Sequence, residues 1–184
     1  METWGWVVLI VGIIVVLALI WFVTRQARTR ALQRDFGPEY DRTMARAGDR
    51  GTAESDLRER RERVSALDVR PLSRSDHDRF ANEWTKVQAA FVDAPAEAVT
   101  DADQLIQQVM ATRGYPVEDF DRRAADVSVE HPDVVENYRS AHSIALKEAR
   151  EDADANTEAL RKAMVYYRSL FEELLVIDDG SDRA

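Results

Sequence analysis

An all-α protein is what the sequence predicts: an N-terminal transmembrane helix, a helical stalk, then a compact bundle of about four amphipathic helices. Three observations carry that prediction. Residues 4–23 run unbroken without a charged side chain. The stretch after them is dense in arginine and poor in apolar residues. Beyond Pro71, apolar residues recur at helical spacing in one segment after another, and no alternating run argues for a strand.

The first segment, WGWVVLIVGIIVVLALIWFV, is long enough to span. At a rise of 1.5 Å per residue, twenty residues cover about 30 Å, the hydrocarbon thickness of a bilayer. Trp4 and Trp6 at one end, and Trp21 with Phe22 at the other, supply aromatic belts for both interfaces. A cleaved signal peptide fits less well, because no basic region precedes the run and no small-residue cleavage site follows it, only Thr24, Arg25 and Gln26. Glu2 alone precedes the span, whereas Arg25, Arg28, Arg30 and Arg34 follow closely. The positive-inside rule then predicts a single-pass protein with its N-terminus outside and its C-terminal domain in the cytoplasm. The same four arginines are candidates for contact with anionic lipid headgroups.

Residues 24–70 read as a basic helical stalk. From Arg25 to Arg63 there are eleven arginines, no lysine and eight acids; from Val64 onward there are fourteen bases against twenty-five acids. The helix of the span is expected to continue to about Asp35, stop at Gly37-Pro38, and restart as a short helix ending near Gly48, with Gly48 and Gly51 forming a hinge. Ala53, Leu57, Val64 and Leu67 make a thin apolar stripe, which suits a stalk better than a core helix.

Residues 71–176 read as an acidic helical bundle. Ser75 or Asp76 is expected to cap a helix bearing Phe80, Trp84, Val87 and Phe91 on one face. Pro95 suits the first turn of the next helix, whose stripe runs through Val99, Ala102, Leu105, Ile106, Val109 and Met110 to Gly114. His131-Pro132 opens a third, carrying Val134, Val135, Tyr138, Ala141 and Ala145 inward, and Asp154 to Thr157 is a polar break. The last helix, with Leu160, Ala163, Met164, Tyr167, Leu170, Phe171 and Leu174, has the clearest amphipathic pattern in the chain. Residues 177–184, rich in aspartate, are expected to be a disordered tail.

Chemistry is narrowed mostly by what the chain does not contain. It has no cysteine, so disulfides and thiolate sites are excluded, and its net charge of −9 argues against nucleic acid. No HExxH, Glu-x-x-His, P-loop, GxGxxG or GxSxG pattern occurs, so no catalytic site, metal or cofactor is expected. Asp76-His77-Asp78 resembles a ligand cluster but sits at a helix start, where capping explains it. Arg113, Tyr115, Tyr138, Arg139, His142, Tyr167 and Arg168 remain as candidate ligand or partner contacts, because arginines beside aromatics can hold a carboxylate or phosphate.

Several motifs act together as a signature: FVDAP at Phe91 to Pro95, RGYP at Arg113 to Pro116, HPDVVENYRSAH at His131 to His142, and EALRKAMVYYRSLFEELL at Glu158 to Leu175. As a set they resemble an uncharacterised family of bacterial, mainly actinobacterial, single-pass membrane proteins with no established activity. The resemblance implies a bacterial inner-membrane location and a helical domain. The expectation from the sequence is therefore a membrane-anchored interaction or scaffolding module with an unknown protein partner, not an enzyme. The alternative is a small-ligand binder or enzyme using an Arg/Tyr/His pocket in the bundle.

Overall fold

Eight helices account for nearly all of residues 2–151 and 156–177, which the computed structural model describes: α1 (Glu2–Phe36), α2 (Pro38–Ala47), α3 (Arg50–Ser65), α4 (Arg74–Ala90), α5 (Pro95–Arg113), α6 (Phe120–Glu130), α7 (Val135–Glu151) and α8 (Thr157–Leu174). Among these residues there is no strand. A single parallel bridge joins Leu72 to Ile177, with Leu72 N donating to Val176 O at 3.1 Å. Ile177, expected in the tail, is thus tied to the bundle. Residues 178–184 lie outside the described residues, as do 152–155 of the polar break.

One helix, α1, is long and apolar enough to cross a membrane, and its apolar side chains are exposed from Trp4 to Val23 wherever described. It ends where the sequence places its end. Gly37 takes φ +45° and Pro38 starts α2, in keeping with the clash that disfavours helical geometry in a residue before proline. Gly48, at φ +74°, closes α2, and Asp49 caps α3 by accepting from Thr52 N at 2.9 Å. Gly51 therefore lies in the first turn of α3 rather than in a hinge.

The stretch 24–70 does not stand apart as a stalk. Leu32 and Phe36 of α1, Tyr40 of α2 and Leu57 of α3 form a second buried cluster, with Met44 and Val129 packed against it. Ala53 and Val64 are also buried. Two bonds fix the register: Thr29 Oγ1 donates to Glu54 Oε1 at 2.7 Å, and Arg61 reaches Asp35 at 2.9 Å. Sequence separations of 25 and 26 mean that α3 runs parallel to α1, with α2 returning between them. The thin apolar stripe suffices because the polar flanks of α3 are closed by ion pairs, among them Arg63 to Asp126 of α6 at 2.8 Å.

The bundle has five helices, α4 to α8, one more than the sequence suggested. Helix α6 is the addition: Asp119 caps it, and Ala124 and Val127 face the core. Ser73, not Ser75 or Asp76, caps α4 by accepting from Asp76 N at 3.1 Å. Helix α5 keeps its expected bounds, Pro95 opening it and Gly114 closing it at φ +99°. Helix α7 starts at Val135 after the turn at His131, and Asn156 caps α8 by accepting from Glu158 N and Ala159 N. Trp84 and Phe171 stack at 4.5 Å between ring centres, tying α4 to α8 in the middle of the main core.

Candidate functional site

The seven candidate residues fall into separate environments, set by which helix face each occupies. Arg113 and Tyr115 build a clamp at the end of α5. The Arg113 guanidinium donates to the carbonyls of Arg70 at 3.3 Å and Leu174 at 3.4 Å, and the Tyr115 hydroxyl donates to Glu130. Burial, with Glu130 beside it, pushes the Tyr115 phenol well above its ordinary value. His131 shares this corner, 3.5 Å from Glu173, and burial and Arg113 hold it below the usual histidine range. The arrangement ties the chain around residues 70–72 to the ends of α5 and α8.

Tyr138 and Tyr167 lie in the core, their ring centres 6.0 Å apart. The Tyr138 hydroxyl accepts from Arg123 Nε at 2.6 Å, and Asp103 lies 3.9 Å from the same guanidinium. Burial raises both phenols, with Asp103 adding to the effect. Arg168, one residue beyond Tyr167, is turned to solvent and pairs with Glu172 at 2.6 Å.

Arg139 and His142 do meet at one concavity. They lie on α7 along a groove of about 770 Å³ whose far wall is Phe120, flanked by Asp119 and Asp121 of α6. His142 stacks on Phe120 with ring centres 3.6 Å apart and planes 10° from parallel. Burial under that ring lowers the His142 pKa from its ordinary value; nearby Asp103 and Asp121 oppose the shift and Arg123 reinforces it. Lys147 and Arg150 extend the groove along α7, and Arg42 reaches it from α2. A smaller depression of about 410 Å³ shares Arg42 and Arg139 and adds Lys162. Two of the chain's three lysines thus line one surface of an acidic protein.

Beneath the groove lies an element not recognised in the sequence. Glu39 of α2, 3% exposed, is held by two guanidiniums: Arg60 at 2.7 Å, and Arg139 through both terminal nitrogens at 2.6 and 2.9 Å. Arg60 also grips Asp56; burial pulls its guanidinium down, and the bonds to Asp56 and Glu39 outweigh that and raise it. Alongside, Arg42 pairs with Glu136 at 2.6 Å. These bonds join α2 and α3 to α7 across as many as 100 residues of sequence. Nothing local in the sequence signals them, although residues 139, 143, 147 and 150 do form a legible polar stripe along one helix face.

The Asp76 carboxylate accepts from the Ser73 hydroxyl and from Arg79 in the first turn of α4. Among the described residues no group of three histidine or acidic side chains is placed to hold a metal ion. No family model, curated protein or solved structure matches the chain.

Proposed function

We propose that the chain is a single-pass bacterial inner-membrane protein that holds a helical interaction module close to the cytoplasmic face of the bilayer. In this reading the α7 groove seats an acidic segment of a protein partner. The observation that carries the proposal is the double character of α1: exposed and apolar through Val23, then buried at Leu32 and Phe36 against α2, α3 and α6. An apolar surface of that length has no neighbour in the fold, and a bilayer would cover it. The arginines that follow the span favour a cytoplasmic domain and an outer N-terminus. Kinship with the actinobacterial single-pass family belongs to the same proposal and rests on the quoted motifs.

The groove supports a partner of acidic character. Arg42, Arg139, Lys147 and Arg150 line the groove against Asp119 and Asp121, four bases to two acids on a molecule of net charge −9, and this local excess steers an acidic segment to this face. A binding role is favoured over catalysis because the buried tyrosine hydroxyls are pushed away from neutral pH, and because Arg113, Tyr115, Tyr138, Tyr167 and Arg168 lie outside the groove.

The test is a photo-crosslinking amino acid at Ser143 or Leu146 in intact cells, with exposed Val165 as the control position. A discrete adduct is expected from the groove positions only, and Lys147→Glu with Arg150→Glu should abolish it. Equal adducts from Val165, or none from the groove, would refute the docking surface. Protease added to intact spheroplasts should spare the domain; its digestion there, with cytoplasmic controls protected, reverses the orientation.

A further inference from the structure

The parallel register of α1 and α3 has a consequence at the membrane boundary. With Thr29 opposite Glu54 and Asp35 opposite Arg61, the first turn of α3 falls level with Arg25 on α1. The turn at Gly48 and Asp49 thus brings the chain back to the end of the apolar span. Between the two helices lies a cleft of about 450 Å³, walled by Trp21 and Phe22 on its apolar side and by Arg25, Arg30 and Arg50 on its polar side. Arg25 lies over the Trp21 ring, 5.1 Å from its centre, and Arg50 is fixed by Glu54 at 3.1 Å.

The eleven arginines between residues 25 and 63 divide by position. Arg34, Arg42, Arg50, Arg58, Arg60, Arg61 and Arg63 each have a carboxylate partner. Among the described residues, Arg25, Arg28, Arg30 and Arg46 have none. Three of these four follow the apolar run directly, and the fourth is in the last turn of α2, beside the returning turn. Within this stretch the arginines without a carboxylate partner gather at the end of the span, while Arg50, on the facing turn, keeps Glu54. A guanidinium pair over an aromatic, apolar wall matches a phosphodiester with acyl chains below it.

We propose that this cleft binds the headgroup phosphate of an anionic phospholipid, held by Arg25, Arg30 and Arg50 with its chains against Trp21 and Phe22. The proposal rests on the reading that α1 spans the bilayer. Arg28 and Arg34, equally close in sequence, are not part of the cleft.

The experiment places the full chain in nanodiscs of phosphatidylcholine and phosphatidylglycerol in equal amounts and counts retained lipids by native mass spectrometry. The parent should retain phosphatidylglycerol about tenfold over phosphatidylcholine, since each cation near an anionic lipid strengthens contact by about fivefold or less. The triple variant Arg25→Gln, Arg30→Gln, Arg50→Gln should bring the ratio to about one, and Arg28→Gln with Arg34→Gln should keep most of it. Arg30→Gln alone disturbs no internal ion pair and should lower the ratio about threefold. Equal retention by the parent, or equal loss in the two multiple variants, overturns the cleft. A chain that fails to float with phosphatidylcholine vesicles refutes the spanning reading and this proposal with it. A chain that floats without lipid preference refutes the cleft alone. If inorganic phosphate stabilises the detergent-solubilised chain as much as phosphatidylglycerol does, the site takes free phosphate and the lipid assignment falls.

Discussion

Glu39→Gln is the substitution that most directly tests how α1 to α3 are joined to the bundle. The carboxylate is nearly inaccessible, and its two partners are almost as deeply placed, with side-chain exposures of 5% for Arg60 and 10% for Arg139. Neutralising it leaves two desolvated cations facing an amide that offers one acceptor in place of two. Breaking a buried pair from one side costs about 3 to 5 kcal/mol. Here the lower end applies, because Arg60 keeps Asp56 and Arg139 keeps Glu136 at 3.7 Å. A loss of about 3 kcal/mol corresponds to a drop in Tm of roughly 6 to 12 °C for a chain of this size. Thermal unfolding of the detergent-solubilised protein, followed by far-ultraviolet circular dichroism, reads this directly. The partner substitution Arg139→Met should cost a similar amount, and the double variant should cost less than the two together by about 1 kcal/mol or more. A Glu39→Gln protein melting within about 1 °C of the parent, or strictly additive losses, would mean that the junction is held by the small apolar cluster alone.

The core stack predicts that Trp84→Ala and Phe171→Ala each cost about 3 to 5 kcal/mol in urea unfolding, with the pair costing less than the sum because they share one contact; a Trp84→Ala domain as stable as the parent would mean that this face is not core. Gly114→Ala should cost about 1 to 3 kcal/mol, since φ +99° is unfavourable to alanine and its Cβ would strike the carbonyl of Asp68; a neutral result would place the α5 turn differently. For His142 the folded pKa lies below the unfolded value, so the unfolded chain binds more protons in that interval. Stability contributed by the neutral ring is present above pH 6.5 and is lost as pH falls through the unfolded and then the folded pKa. Tm should accordingly fall on acidification, and His142→Phe, which keeps a ring on Phe120, should flatten part of that slope; an unchanged slope would clear His142 of the effect.

Sequence periodicity was informative wherever burial was apolar. Pro95 and Gly114 bracket α5, Gly37-Pro38 ends α1, and the stripe from Phe80 to Trp84 finds Phe171 across the core, all because a single helix face carries the signal. It was uninformative wherever burial was polar. Helix α6 hides because Arg123 and Asp126 occupy inward positions and interrupt the stripe that Phe120, Ala124 and Val127 would otherwise make. The stretch 24–70 resembles a stalk because its second apolar partner, Val129, and its ionic partners, Asp126 and Arg139, are supplied from far along the chain. The candidate site residues are divided by helix geometry. Tyr167 and Arg168 are neighbours in sequence, but a step of 100° around the helix sends one into the core and the other to solvent.

The placement of these polar bonds also bears on how α1 is set against the bundle. A thin apolar contact alone would let α1 roll against α3, since methyl and aromatic surfaces are non-directional. Hydrogen bonds to charged groups are directional, and they sit where rolling would be felt: Thr29 to Glu54 and Asp35 to Arg61 along α1, then Glu39 to Arg139 and Arg63 to Asp126 out to α7 and α6. Each bond joins one helix to the next, from α1 through α3 and α2 to the wall of the groove. The rotational setting of α1 is thereby passed to α7, so the same chain of bonds that makes the segment look like a charged stalk in sequence fixes which way the groove faces.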